Sequence, residues 1–232
     1  MPTAPDGRRL DQLAWPDLAG SAADCLLAMP LGSTEQHGPH LPFTTDTDVA
    51  AALADRLAAA RADVVVAPPL PYGSSGEHAG FPGTLSMGAA ALEQVVIELV
   101  RSADAFAGVV LVSAHGGNAQ PVAAATATLL QEGRRVLAWS PRVAGGDAHA
   151  GHTETSMMLA LRPDAVALDR AEAGNGRPIA ELMPALRAGG VAAVAANGVL
   201  GDPAGASAVE GKALLDQLAA DLVAAVAAWC RA

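Results

Sequence analysis

Four short apolar runs, each followed by a loop and then a helical stretch, constrain this chain more than any other feature. Residues 24–31, 63–67, 108–113 and 135–140 read as strands. Helical spacing follows over 47–61 with Asp46 or Thr47 as cap, over 88–105 with Ser86 as cap, over 119–132, and from near Glu154 to Leu161. Residues 208–231 read as one amphipathic C-terminal helix, whereas 170–207 are punctuated by Gly and Pro and take no clear place in the pattern. Strand, loop and helix in repeated order argue an α/β layer fold with a largely parallel sheet. Ligands of such sheets bind beyond the carboxyl ends of the strands. The loops after the first, third and fourth strands are therefore expected to converge on one edge.

Those loops carry chemistry. All six histidines fall in four Gly-rich islands that also hold polar or acidic groups: Glu35-Gln36-His37-Gly38-Pro39-His40, Glu77-His78, His115-Gly116-Gly117-Asn118, and His149-Ala150-Gly151-His152-Thr153-Glu154. Imidazole with carboxylate is a ligand set for borderline and hard divalent metals, so the islands point to a hydrolytic metal site. Glu35 and His37 are two apart and share a face in an extended segment. Asp46 can return to the same centre if the loop folds back through Gly38 and Pro39. For Asp46 and Asp48 the alternative is helix capping. For Glu154 it is a favourable place in a helix first turn, and for His115 an incidental position in a turn. His40 reads as a group behind the ligands, and His152 carries less weight than His149. Glu77-His78 is either a solvated loop or a wall facing substrate.

The remaining composition narrows the class. At 232 residues one domain over 1–232 is expected, and 51% apolar residues suffice for its core. A net charge of −10 does not suit nucleic acid or an anionic membrane as partner. Cys25 and Cys230 make no disulfide framework, which fits a reducing cytoplasm. Met1–Arg9 has no apolar stretch after its charges, so no signal peptide is expected, and no apolar run is long enough to span a membrane. No Gly-x-Ser-x-Gly elbow, Walker loop or Gly-x-Gly-x-x-Gly follows a strand.

The islands resemble a known family. Gly32-Ser33-Thr34-Glu35-Gln36-His37-Gly38-Pro39-His40-Leu41-Pro42 with Asp46 is similar to the first motif of the creatininase (creatinine amidohydrolase) family. Phe81-Pro82-Gly83-Thr84, His115-Gly116-Gly117-Asn118 and the stretch from His149 to Ser156 are similar to its later motifs, in order over about residues 24–165. The resemblance implies a three-layer α/β/α fold, a dinuclear centre of two divalent ions (Zn, Fe or Mn), and hydrolysis of a C–N amide bond. By position it implies Glu35, Asp46 and His115 on one metal and His37, Asp46 and Glu154 on the other. It implies His149 as proton donor or oxyanion stabiliser; His78, Thr84 and Asn118 are the candidate substrate contacts. Homo-oligomers are common in the family.

One position departs from creatininase proper. The family glutamate used as a base, two residues after the third-motif histidine, is replaced by Gly117, and the tryptophans of the creatinine pocket have no clear counterparts before His149. Creatinine is therefore not the expected substrate, and Glu77 is the candidate to supply the missing carboxylate. Compact length and the first motif are most similar to a branch of the family that trims a modified precursor peptide. That likeness implies release of a C-terminal Val-Tyr-derived unit, with a small-molecule amide or lactam hydrolase, or a non-catalytic metal-binding protein, as the alternatives.

Overall fold

A computed structural model describes residues 8–232. The expectation about a signal peptide rests largely on residues 1–7, which lie outside the described residues. Five parallel strands form one sheet in the order β1-β3-β2-β4-β5: β1 (Arg8–Arg9), β2 (Leu26–Leu31), β3 (Val64–Val66), β4 (Gly108–Ser113) and β5 (Val136–Trp139). The central pair runs in full register from Leu26 opposite Gly108 to Leu31 opposite Ser113.

Strand alternation sends the apolar side chains to two cores. Leu26, Ala28, Val64, Val66, Val110 and Val112 face one core, against α2 (Thr45–Ala60), α5 (His152–Leu161) and α7 (Ala208–Trp229). Leu27, Met29, Leu31, Val65, Val109 and Leu111 face the other, against α3 (Ala89–Ser102) and α4 (Ala119–Gln131). The fold is a three-layer α/β/α sandwich with a parallel sheet buried on both faces. Two further helices lie outside those layers: the single turn α1 (Trp15–Leu18) and α6 (Ile179–Gly189).

Pro30 sits within central β2 without disrupting it. Its carbonyl accepts from the Leu70 amide on the β3 side, beyond the last β3 residue, so the missing N–H falls where no strand carbonyl awaits it. Gly32 follows at once. A Cβ there would collide with the backbone and hydroxyl of Thr47, so glycine lets the loop pass directly over the first turn of α2.

Boundaries differ from the sequence reading in informative ways. Helix α2 starts at Thr45, and the Thr44 hydroxyl donates to Asp48 at 2.8 Å, so Asp46 is not a cap but a buried first-turn residue. Ser86 is not the capping residue of α3, which is Gly88; the Ser86 hydroxyl instead accepts from the amides of Ser75 and Gly88 and ties the loop to the helix. The unplaced stretch 170–207 contains α6 and a 3-10 turn at Val191–Ala193. No described helix is long and apolar enough to cross a membrane, and both cysteines are free thiols.

Candidate metal centre

The carboxyl ends of β2, β3 and β4, with the loop after β5, bring the four islands together. Gly32 to Leu41 follows β2, Pro71 to Thr84 follows β3, His115 follows β4, and Asp147 to Glu154 leads into α5. Asp46 enters from the first turn of α2. Its Oδ1 lies 3.3 Å from His37 Nε2 and its Oδ2 3.1 Å from His115 Nδ1, so one carboxylate spans two imidazoles. The Ser33 hydroxyl donates to Oδ2 at 2.7 Å and fixes it.

Glu35 is the chemical anomaly of the site. It is wholly buried, and neither carboxylate oxygen has a hydrogen-bond partner. His115 Nε2 stands 3.1 Å from Oε2 and His78 Nε2 3.2 Å from Oε1, close enough for ion pairs but not aligned as hydrogen bonds. A buried carboxylate left this way is costly unless something else occupies its lone pairs. Three overlapping sets of donor atoms, each within 4.8 Å of one another, can hold a cation: Glu35–Asp46–His115, His37–His149–Glu154 and Glu35–His78–His149. The donor chemistry fits divalent ions.

Neighbouring groups orient the rings, as expected for imidazoles at a metal site. The Glu35 carbonyl lies 3.1 Å from His37 Nδ1 and the Ser74 carbonyl 3.0 Å from His115 Nε2. The Gln36 amide nitrogen reaches His78 Nδ1 at 2.8 Å and the Gly198 carbonyl at 3.1 Å. His149 Nε2 lies 2.9 Å from the Gln36 carbonyl. Donating there leaves its Nδ1 as a lone pair facing the cluster, and the proton-donor role needs the other tautomer. Ala150, between His149 and α5, takes φ 51 and donates its N–H to Glu154 Oε2 at 2.5 Å. Backbone strain is thus held where two of the island residues are aimed.

The electrostatics follow from crowding acids and imidazoles in a dry space. Burial, with the Asp46 charge, raises the Glu35 carboxyl to about 7, and the same two causes raise Glu154 to about 7. Burial works against the His37 cation, but Asp46 and Glu154 outweigh it and carry the pKa to about 10. Burial likewise opposes His115⁺, and Asp46 and Glu35 carry it to about 9. His78 is driven down to about 3 by burial and then by His37 and His115, and His149 falls well below its ordinary value for similar reasons. Asp46 stays ionised despite burial because two imidazoles face it.

The other sequence candidates divide. Glu77 lies at the cluster's edge, with Oε1 3.6 Å from His115 Nε2 and a third of its side chain exposed. A Cβ at Gly117 would overlap Glu77 Oε1, the Ser74 carbonyl and His115 Nε2, so the space above Gly117 is already filled by the Glu77 carboxylate. His78 is buried against Glu35 and is no part of a solvated loop. Asn118 is wholly buried, with its Oδ1 accepting from Ser74 N at 2.9 Å and its Nδ2 donating to Gly32 O at 3.0 Å. It ties two loops together and presents no free group to a substrate. The Thr84 hydroxyl accepts from Gln36 N at 3.1 Å, so it too is a loop tie. His40 bonds Thr155 of α5 at 2.9 Å, behind the cluster, and His152 pairs with Glu210 at 2.7 Å, outside it. Sequence reasoning missed the role of Gln36, for which a polar residue between two candidate ligands was the available signal.

The family model described as creatinine amidohydrolase matches residues 11–226. The chain belongs to the creatininase family. It is 52% identical over 200 residues to the mycofactocin precursor peptide peptidase of Mycolicibacterium smegmatis, covering 83% of this chain and 81% of that one. Its identity to the protein of the same name from Mycobacterium ulcerans is 49% over 213 residues, covering 88% and 85%. Among solved structures it is similar to a creatininase described as the Mn form, with TM-score 0.82, 27% identity, and 95% and 97% of the two chains covered. The same values hold for a glutamate-to-glutamine mutant creatininase described as Zn–Zn type. The three-layer fold implied by the motifs is the fold of that family.

Proposed function

We propose that this chain, as one catalytic domain over 1–232, is a metal-dependent peptidase that hydrolyses an amide bond of the mycofactocin precursor peptide and releases the modified, Val-Tyr-derived unit at its C-terminus. The observation that carries the hydrolytic part is Glu35: a buried carboxylate without a hydrogen bond, ringed by His78, His115 and Asp46. The peptide substrate is supported by the relatives at about half identity over most of the chain.

Glu35, Asp46 and His115 would hold one divalent ion, and His37, Asp46 and Glu154 the other. When bound, such ions would supply Lewis acidity and make water more acidic. The protein's own groups handle the protons. Glu77, open to the cavity beside His115, accepts a proton from water as the water oxygen bonds to the carbonyl carbon. It passes that proton to the amide nitrogen as the C–N bond breaks, and the water's second proton, left on the new carboxyl group, moves through Glu77 to the freed amine, giving a carboxylate and an ammonium. With hydrogen on Nδ1, His149 donates to the carbonyl oxygen as charge builds there. Glu77 so placed does the work for which Gly117 has no side chain. A cytoplasmic location and a homo-oligomer complete the reading, to be checked by fractionation and by light scattering.

The test is metal content and turnover in the same samples. Asp46→Asn and His115→Ala are expected to lose bound Zn, Fe or Mn by plasma mass spectrometry and to lose cleavage of the precursor. Full activity in both folded variants would refute the assignment.

A further inference from the structure

Beside the metal centre the chain keeps an apolar wall that the mechanism does not use. A cavity of ≈ 480 Å³ has Glu35, His115 and His149 in its floor and Glu77 at its edge, and its far side is built by α6. Ile179, Met183 and Leu186 stand at i, i+4 and i+7 on that helix and so share one face. All three line the cavity, and Ile179 keeps 43% of its surface exposed. Leu182, one position off that stripe, is buried against Val191, Ala195 and Leu200 and fixes the helix. At the end of α6, Gly190 adopts φ +69, and a Cβ there would stand 2.5 Å from the Glu77 carbonyl. The wall is therefore anchored to the same segment that carries Glu77 and His78. Arg187, one residue beyond Leu186, also lines the cavity, and its guanidinium has no ion pair or hydrogen bond among the described residues.

A partly exposed apolar stripe facing a polar centre across a shared cavity needs an occupant that reaches both. A molecule bound at the centre meets that condition, because floor and wall belong to one cavity. The volume is in the range of small-molecule pockets and exceeds what one side chain fills. The wall offers aliphatic groups and a thioether, which pack well on rings and branched chains. We infer that the α6 face formed by Ile179, Met183 and Leu186 is the subsite for the apolar unit on the released side of the scissile amide, and that Arg187 takes a carbonyl or carboxylate of the peptide chain leaving the cavity. This deepens the peptidase reading and rests on it for the identity of the unit.

The test uses metal-loaded full-length protein and two readouts: steady-state cleavage of the modified precursor, and calorimetric binding of valyl-tyrosine amide as a probe. Met183→Ala and Leu186→Ala are each expected to raise KM about ten-fold and weaken probe binding by a similar factor, with kcat within about two-fold. Arg187→Gln is expected to raise KM for the peptide and leave probe binding unchanged. Both wall residues are only half-buried, and a thermal melt confirms folding. Wall variants that stay folded with unchanged KM and probe binding would overturn the inference. So would variants that alter only oligomer mass, which would make the stripe a subunit face. A wild type that binds the probe through this wall but cleaves no precursor would sink the peptidase reading and leave the subsite standing.

Discussion

Replacing Asn118 separates a structural tie from a substrate contact. Its carboxamide is wholly buried, bonding Ser74 N at 2.9 Å and Gly32 O at 3.0 Å. It thereby joins the Glu77-bearing loop to the end of β2. Truncation to Ala leaves the Gly32 carbonyl unsatisfied in a buried position and the Ser74 amide in a half-buried one. A stranded buried group costs about 1–3 kcal/mol, so the pair costs roughly 2–4 kcal/mol after partial solvation of Ser74. Asn118→Asp keeps the acceptor for Ser74 but sets a carboxylate oxygen against the Gly32 carbonyl, and it is expected to cost at least as much at pH 7. Urea unfolding of the metal-free protein, which removes the contribution of bound metal to stability, measures both. A loss under about 0.5 kcal/mol in Asn118→Ala, with only KM raised, would refute the tie and restore Asn118 as a substrate contact.

Three further outcomes follow from the same geometry. Metal loading at pH 7 is expected to release about three protons, because His37 and His115 are held as cations, to about 10 and about 9, and Glu35 and Glu154, each raised to about 7, are about half protonated until a ligand bond replaces the proton; calorimetry in buffers of different ionisation enthalpy counts them, and zero would contradict the ligand assignment. Gly117→Ala places a Cβ on Glu77 Oε1 and on the Ser74 carbonyl; expected are a loss of about 1–3 kcal/mol from overpacking and a roughly 10²-fold lower kcat as Glu77 is displaced, both read on one preparation. His152 is raised above 6.5 by its bond to Glu210. That stabilisation is full below 6.5 and is lost as pH rises through the folded-state pKa, so the melting-temperature gap between wild type and Glu210→Gln should be wider at pH 6 than at pH 9.

What the sequence made legible was whatever had a local period or a local motif. The runs 24–31, 63–67 and 108–113 became β2, β3 and β4 because continuous apolar strands flanked by loops have few other interpretations. Convergence of the islands followed from parallel strands sharing a carboxyl edge. Strand β1 was missed because Arg8 and Arg9, which pair in register with Val65 and Val66, carry no apolar signal. Helix α6 was missed because Pro184 lies inside it and Gly190 ends it, so breakers masked the Ile179–Met183–Leu186 stripe. Asn118 and Thr84 were legible as members of motifs but not as loop ties, because their partners are 44 or more residues away. The burial of His78 against Glu35 is likewise set by tertiary contacts, through the Gln36 amide.

The most direct measurement is mass spectrometry of the modified mycofactocin precursor after incubation with the metal-loaded protein, with creatinine in parallel. Release of a C-terminal dipeptide-sized fragment is expected, abolished by a chelator and restored by added metal, with creatinine untouched. Intact precursor in the presence of protein shown to hold its metals would contradict the peptidase reading.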